Sequence, residues 1–464
     1  MKKKYFCRFF LLMLSMTLVV SSCRTALHFQ KPDVSVNDLY QNPVTSDTTN
    51  IADIPWRSFF SDQNLQALID ESLSKNLDLQ VAAQQIAEAE AYFSQSKASL
   101  FPGLSAQADG AFYKNSQSLN SNALSHTQQY TLGLNSSWEA DVWGKLSSAK
   151  RASYASLLYS QAGKQAVQTK LISDIATVYY TLAALDSQLV ITQRTVQNNI
   201  SLVETMKVLQ EGTVVNGAAV VQTEASRYAA EVTIPDLKQS ILEAEHTLSL
   251  LVGRVPGSIK RSSLVNQHFN DSLKVGLPAQ LLRNRPDVME AEYSLAKAYE
   301  VTNNAHAYFY PSLTITASGG FTSADLQNFF KPGSLFGNLI GGLTQPLFNQ
   351  RTNRTRLEVA AAQQQEALLK FENTLLTAGQ EVSNAMGLYE NVAEKISIRS
   401  KQLDALNKSV DYTKELLKNG GANYTEVLTA QQNLLTAELN NVNDRLQQIK
   451  AFITLYRELG GGWK

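Results

Sequence analysis

From Lys145 to Gln210 the chain runs without a proline and with Gly163 as its only glycine, and residues 352–418 form a second proline-free stretch. Apolar residues recur at spacings of three and four, interrupted by Ala, Gln, Ser and Thr. Each stretch predicts one helix of about 65 residues, roughly 100 Å long at 1.5 Å per residue. No compact domain of this size needs such a rod, and periodic patterns well beyond about 25 residues belong to coiled coils or helical arrays. The polar interruptions predict close helix packing with a hydrated opposite face.

The two stretches belong to a duplication. Leu100-Phe101-Pro102-Gly103-Leu104 is echoed 209 positions later by Phe309-Tyr310-Pro311-Ser312-Leu313. Thr247-Leu248-Ser249-Leu250-Leu251-Val252-Gly253 is echoed 207 positions later by Thr454-Leu455-Tyr456-Arg457-Glu458-Leu459-Gly460, and Val221–Glu224 aligns with Leu428–Gln431 at the same offset. One unit therefore occurs twice, at 56–264 and 278–464, with 265–277 as the linker. Helix breakers cluster at Gly253–Gly257 and at Gly276-Leu277-Pro278. Each unit reads as a helix, a strand pair, then two long helices. In the first copy the helices are Asn64–Leu100, Lys145–Gln210 and Ala218–Leu251, with a kink expected at Pro235. In the second they are 286–308, 352–418 and 423–459.

The strands alternate. Along 130–142, Tyr130, Leu132, Leu134, Trp138, Ala140 and Val142 share one parity, broken only by Ser136, while Thr131, Gly133, Asn135, Ser137, Glu139 and Asp141 share the other. Along 313–322, Leu313, Ile315, Ala317, Gly319 and Phe321 alternate with Thr and Ser or Gly. The partner stretches, 104–114 and 335–348, are glycine-rich, and polar loops at Asn115–Thr127 and Ser323–Ser334 join each pair. Period-two patterning gives one apolar and one polar face. This fits a soluble sheet on a core, or tilted strands of about ten residues spanning a bilayer. Four strands in lipid would leave edge N–H and C=O groups unsatisfied. A membrane reading thus requires several protomers to close one barrel, and three copies would give twelve strands around a wet lumen.

The N-terminus supplies the address. Lys2, Lys3, Lys4 and Arg8 precede an apolar run from Phe9 to Val20, too short to span a membrane but suited to a signal peptide over residues 1–22. Val20-Ser21-Ser22-Cys23 reads as a lipoprotein processing site with Cys23 as the lipidated first residue of an extended segment, 23–55. An ordinary signal beside an incidental cysteine and an N-terminal anchor are the other readings. The only other cysteine is Cys7, so none remains for disulfides, thiolate chemistry or zinc. Beyond Cys23 there is no unbroken run of 18 apolar residues, and no transmembrane helix is expected. The whole chain carries 41 basic and 41 acidic residues, and without the signal the acidic groups outnumber the basic ones. That excess argues against a nucleic-acid partner.

Trp138-Glu139-Ala140-Asp141-Val142-Trp143-Gly144-Lys145, Gly276-Leu277-Pro278 followed by Leu281-Leu282-Arg283-Asn284-Arg285-Pro286-Asp287, Phe309-Tyr310-Pro311-Ser312-Leu313 and Leu459-Gly460-Gly461-Gly462-Trp463 occur in one order and spacing. In these segments the chain resembles the TolC-like outer membrane efflux proteins, in their lipid-anchored branch, over nearly all of its mature length. The resemblance implies an α+β membrane protein. Long helices would form a periplasmic coiled-coil tunnel, and four strands per protomer would contribute to a trimeric twelve-stranded transmembrane β-barrel. It implies a homotrimer in outer-membrane lipid that docks a periplasmic adaptor and an inner-membrane pump, with no catalysis and no cofactor beyond the lipid on Cys23.

The resemblance also puts the closed end of the tunnel at the helix turns, Leu209–Gly217 and Leu417–Tyr424. There Gly212, Thr213, Gly217, Gly420 and Gly421 are adaptor-contact candidates. Family members place acidic rings just inside the second turn; Glu426 matches one such position, while Thr429 occupies the neighbouring one and Ala422 stands where a basic partner sometimes occurs. A solvated helix-end carboxylate is the alternative for Glu426. The implied function is passive exit of drugs and toxic small molecules. Metal cations or secreted polypeptides are the alternative cargo, and an envelope scaffold is the alternative class.

Other groups point to no chemistry. His28, His126, His246, His268 and His306 are scattered, without an HExxH motif. Glu88 with Glu90 and Glu243 with Glu245 point to different helix faces and read as solvated surface. No GxSxG, GxGxxG or P-loop occurs. Arg283–Asp287 reads as a helix start, with Pro286 and Asp287 in the first turn. Trp138 and Trp143 are candidates for an interfacial belt.

Overall fold

The structure is a computed structural model, described here for residues 29–32, 39, 50–114, 126–264 and 280–464. The signal at 1–22, Cys23, the loop residues 115–125, the linker at 265–277 and the segment Gly276-Leu277-Pro278 lie outside the described residues. The helices are α1 (Trp56–Phe59), α2 (Gln63–Lys75), α3 (Leu77–Ala98), α4 (Lys145–Glu211), α5 (Gly217–Glu231), α6 (Thr233–Val252), α7 (Leu281–Asn284), α8 (Pro286–Ala307), α9 (Thr352–Lys418) and α10 (Tyr424–Glu458). The strands are β1 (Gly103–Lys114), β2 (His126–Ala140), β3 (Ser312–Ser323) and β4 (Leu335–Thr344).

Both rods exist, and each is 67 residues long. Their starts, Lys145 and Thr352, and their ends, Glu211 and Lys418, are each 207 positions apart, as are the starts of α5 and α10. The strand pairs β1 and β3 begin 209 positions apart. The offsets found in the sequence are thus offsets of whole elements.

Two expectations are corrected. The single helix over 64–100 is divided at Asn76, whose backbone is extended (ψ 129). Its side chain accepts from Leu79 N at 3.0 Å and donates to Leu251 O at 2.9 Å, so it caps α3 and ties it to α6. The kink expected at Pro235 appears three residues earlier, at Val232. A proline ring clashes with the carbonyl four residues before it, here Glu231, so α5 ends there and Pro235 sits in the first turn of α6. Strand β2 also begins at His126, four residues before the alternation becomes regular.

The chain divides into two compact units. The sheet unit takes residues 85–161 and 290–372 together with the N-terminal segment. Its strands are all antiparallel in the order β1-β2-β3-β4. The register aligns the apolar parity of all four strands, although β4 also places Phe336 and Ile340 on the opposite face. Ala106, Leu134, Gly319 and Gly337 form one row, and Ala108, Leu132, Phe321 and Leu335 the next. The opposite face carries Gln107, Asn135, Ser318 and Asn338. Gly320 faces Gly133 across β2 and β3, and Phe336 on β4 lays its ring over Gly133.

The helical unit takes residues 34–84, 162–289 and 373–464. Its core joins Phe60, Leu65 and Ile69 to Ile172, Ile175, Tyr179, Tyr180 and Leu182 of α4, Leu248 and Val252 of α6, and Ile449 and Ile453 of α10. Among the described residues α4 is long and apolar enough by composition to cross a membrane, although it has no unbroken apolar run. Its apolar residues from Leu171 to Ala184 are spent on this core instead. Asp62 caps α2 through Asn64 N at 2.8 Å and accepts from Tyr179 Oη at 2.8 Å, and that hydroxyl accepts from Ser262 N at 2.9 Å. Burial, with Asp62 nearby, pushes Tyr179 up to about 12.

Candidate functional site at the helix turns

Both turns lie in the helical unit and repeat one hydrogen-bond scheme. At the end of α4, Val214 N donates to Leu209 O at 2.8 Å and Thr213 N to Gln210 O at 2.9 Å. At the end of α9, Gly421 N donates to Leu416 O at 2.8 Å and Gly420 N to Leu417 O at 3.2 Å. This paired six-to-one and five-to-two bonding satisfies the last carbonyls of a helix and needs a left-handed residue at its centre. That residue is Gly420 (φ 72) in one turn and Thr213 (φ 60) in the other. Glycine alone does not locate the reversal: Gly212 and Gly217 are not left-handed, and Gly217 opens α5.

The following helices are capped alike. Asn216 accepts from Ala219 N at 3.2 Å, and Asn423, 207 positions later, accepts from Thr425 N at 3.3 Å. The two turns meet where Tyr424 Oη donates to Gln222 Oε1 at 3.2 Å. On α10, Val427 and Leu428 are buried while Glu426 and Thr429 are exposed on one face. Thr429 Oγ1 returns to Thr425 O at 2.8 Å, and the Glu426 carboxylate has no partner among the described residues. Ala422 contributes no charge.

Above the turns the helices are tied by polar contacts. Gln188 on α4 donates to Asn443 of α10 at 2.8 Å, and Arg194 pairs with Glu438 at 2.6 Å. The buried Asp444 holds Lys395 at 2.7 Å and Arg399 at 2.8 Å, both from α9. Burial opposes ionisation of Asp444, but the two cations outweigh it and hold the carboxyl below the usual range. Sequence reasoning missed this group, because one aspartate among α10's polar residues carries no mark of burial. It also read Arg285 only as part of a helix start. Arg285 is 6% exposed, bound to Asp287 and Glu381 at 2.6 Å and to Glu458 at 3.2 Å. Glu245, expected on the surface, pairs with Arg261 at 2.5 Å.

Trp138 and Trp143 stand at strand ends, where Trp138 Nε1 donates to Leu100 O at 2.9 Å and Trp143 Nε1 to Pro311 O at 2.7 Å. Among the described residues no three His, Cys, Asp or Glu side chains converge as a metal site would require.

A four-stranded sheet with one apolar face, one polar face and two open edges, joined to 67-residue helices, defines a channel-forming protein of the outer membrane. The model of the outer membrane efflux protein family matches this chain twice, at residues 68–254 and 277–461. The chain belongs to that family, and it is an outer-membrane exit duct. It is 29% identical to the cation efflux system protein CusC of Escherichia coli O6:H1 over 459 residues, covering 98% of this chain and 99% of that one. It is 28% identical to the solvent efflux pump outer membrane protein SrpC of Pseudomonas putida, covering 88% of this chain and 87% of that one. A crystal structure of CusC superposes with a TM-score of 0.84 at 28% identity, over 95% of this chain and all of that one.

Proposed function

We propose that this chain forms a homotrimer in which three sheets close one twelve-stranded barrel, the outlet of a three-component efflux system for toxic small molecules. The observation that carries this is the sheet. Its apolar face is exposed in the protomer at Leu104, Leu132, Leu134, Leu339 and Leu343, and β1 and β4 are unpaired edges. In lipid such edges need partners, and sister subunits can supply them. The polar face then lines a wet lumen.

Cargo selection would lie in an inner-membrane pump reached through a periplasmic adaptor. Relatives named for cations and for solvents match this chain about equally well. The adaptor would engage the turns at Gly212, Thr213, Gly217, Gly420 and Gly421, with Glu426 and Thr429 narrowing the pore behind them. Opening requires α10 to move away from α4, which breaks Gln188–Asn443 and Arg194–Glu438. Cation export is the second reading, favoured by the full-length likeness to CusC.

Lipidation at Cys23 fits the same picture. Lys31 pairs with Glu292 and Phe29 packs edge-on against Tyr299, so residues 29–31 lie antiparallel to α8, with Phe29 nearer its strand-side end. Six residues from Phe29 to Cys23 span at most about 20 Å, enough to pass the last two turns of α8, roughly 12 Å. They cannot also cover a strand of about 40 Å. The lipid would enter the leaflet on the helical side of the sheet.

The test is twofold. The purified protein should run as a heat-modifiable trimer and conduct ions across planar lipid, and deleting the chain should sensitise cells to dyes and solvents. Sensitivity to metal cations alone would select the cation reading. A monomer released by alkaline washing would reject both.

A further inference from the structure

On β4, Leu335, Leu339 and Leu343 share the apolar face and are largely exposed. The strand ends at Thr344, yet the four-residue rhythm continues to Leu347, and Phe348 follows it. These two are the most exposed large apolar side chains among the described residues, at 96% and 89%. Gln350 (φ 53) and Arg351 (φ 69) then turn the chain through left-handed backbone into α9. Arg351, Arg354 and Arg356 follow, with Glu358 the one carboxylate near them in sequence. Arg351 and Arg354 share Glu358 at 3.2 and 3.1 Å. Arg356 lies over the Tyr308 ring at 3.8 Å and contacts Asn353 Oδ1 at 3.4 Å.

The equivalent junction in the first repeat is closed on itself. Gly144 (φ 74) stands 207 positions before Arg351, in the same left-handed conformation. Asp141, at the position of Phe348, caps α4 through Leu146 N and Ser147 N, both at 2.8 Å. Lys145 is neutralised by Glu139 at 2.7 Å and Arg151 by Glu300 at 2.8 Å, which leaves Lys150 as the one cation there outside an ion pair among the described residues. Duplication therefore does not account for the exposed Leu-Phe pair or for the unbalanced arginines of the second junction.

We propose that the β4–α9 junction is a phospholipid anchor. Leu347 and Phe348 enter the acyl chains of the leaflet on the helical side, and Arg351 and Arg354, with Arg356 behind them, hold an anionic glycerophospholipid headgroup. The inference rests on the membrane reading of the sheet. The occupant is lipid because the apolar pair continues the leucine column of the lipid-facing surface. It also ends where strands give way to helices, the level at which acyl chains give way to phosphates. Guanidinium groups match phosphate oxygens in pairs and stay charged when partly desolvated, and basic clusters beside an apolar insertion recognise anionic lipid.

Spin labels at Phe348→Cys and, as a control, Leu339→Cys in the reconstituted full-length protein separate the outcomes. Collision with oxygen over a water-soluble nickel chelate at both sites supports the anchor. An oxygen signal at 339 with nickel dominant at 348 overturns the anchor and leaves the barrel standing, and silence toward both reagents at 348 assigns the junction to a sister subunit. Nickel dominance at 339 removes the membrane reading itself. In native mass spectrometry, Arg351→Gln and Arg354→Gln should each lower retained phosphatidylglycerol about fivefold, with phosphatidylcholine unaffected. Unchanged retention in the double variant would overturn the headgroup assignment.

Discussion

Thr213 and Gly420 occupy one and the same left-handed position at the ends of the two 67-residue helices, 207 residues apart. The same spacing relates Gly144 to Arg351 and Gly253 to Gly460, each pair left-handed in both copies. Backbone geometry has outlasted residue identity in the duplication. A β-branched threonine is a poor occupant of such a site. Thr213→Asn should tighten the first turn, since asparagine tolerates this conformation. Nothing lies within 4 Å of where a Cβ on Gly420 would point, so Gly420→Ala should cost the backbone penalty alone, about 1 kcal/mol. Hydrogen exchange reads both: slower at Val214 in the first variant, about fivefold faster at Gly421 in the second.

Gly320 presents a different constraint. A Cβ there would sit 2.5 Å from the Gly133 Cα and closer still to the Leu132 carbonyl oxygen. Those are backbone atoms of the neighbouring strand and cannot step aside as a flexible side chain would. Gly320→Val should therefore part β2 from β3 and abolish the heat-resistant oligomer in gel electrophoresis. Gly337→Ala, on the same sheet with nothing within 4 Å of its Cβ position, should retain it.

Asp444 makes the pairing of α9 with α10 pH-dependent. Lys395 and Arg399 hold its carboxyl below the usual value near 4. The folded state thus binds the proton more weakly than the unfolded chain. The stabilisation is complete above about pH 4 and is lost as pH falls through the lower folded value. Asp444→Asn removes the charge shared by Lys395 and Arg399, leaves Arg399 its bond to Gln402 at 2.7 Å, and should cost about 2 kcal/mol at pH 7. The gap in melting temperature between variant and parent should narrow as pH falls below about 4; a constant gap in that direction would contradict the assignment.

The fold was legible because its signals are long. Period-two alternation over β2 and β3, and proline-free stretches in α4 and α9, accumulate over many residues, and the duplication doubles each. Breaks set by single side chains were not: Asn76 divides a helix because it caps the next one, and no periodicity marks that. The turns were placed by the family resemblance and the helix ends, with their glycines as the expected site of reversal, yet the left-handed residue of the first turn is Thr213. Its conformation is imposed by the two flanking helices rather than by its own preference. Arg285 read only as part of a helix start and Asp444 drew no notice, because the burial of a polar residue depends on partners from distant segments.

Glu426 is the sharpest test of the gate. Val427 and Leu428 are buried and fix the rotation of α10 at its first turn. Glu426 and Thr429, three residues apart, are left on the opposite face, exposed. In a trimer that turns this face to the lumen, three Glu426 carboxylates form one ring. Such a ring concentrates cations by focusing the field in a narrow, partly desolvated opening. Glu426→Gln should lower cation-over-anion permeability about tenfold in planar bilayers, read as a shift of reversal potential under a salt gradient, while Glu426→Asp should preserve it. Thr429→Glu adds a second ring one helical turn deeper and should shift the potential the other way. If neither Glu426→Gln nor Thr429→Glu moves the reversal potential, the constriction lies elsewhere along α10 and Glu426 is a solvated helix-end carboxylate.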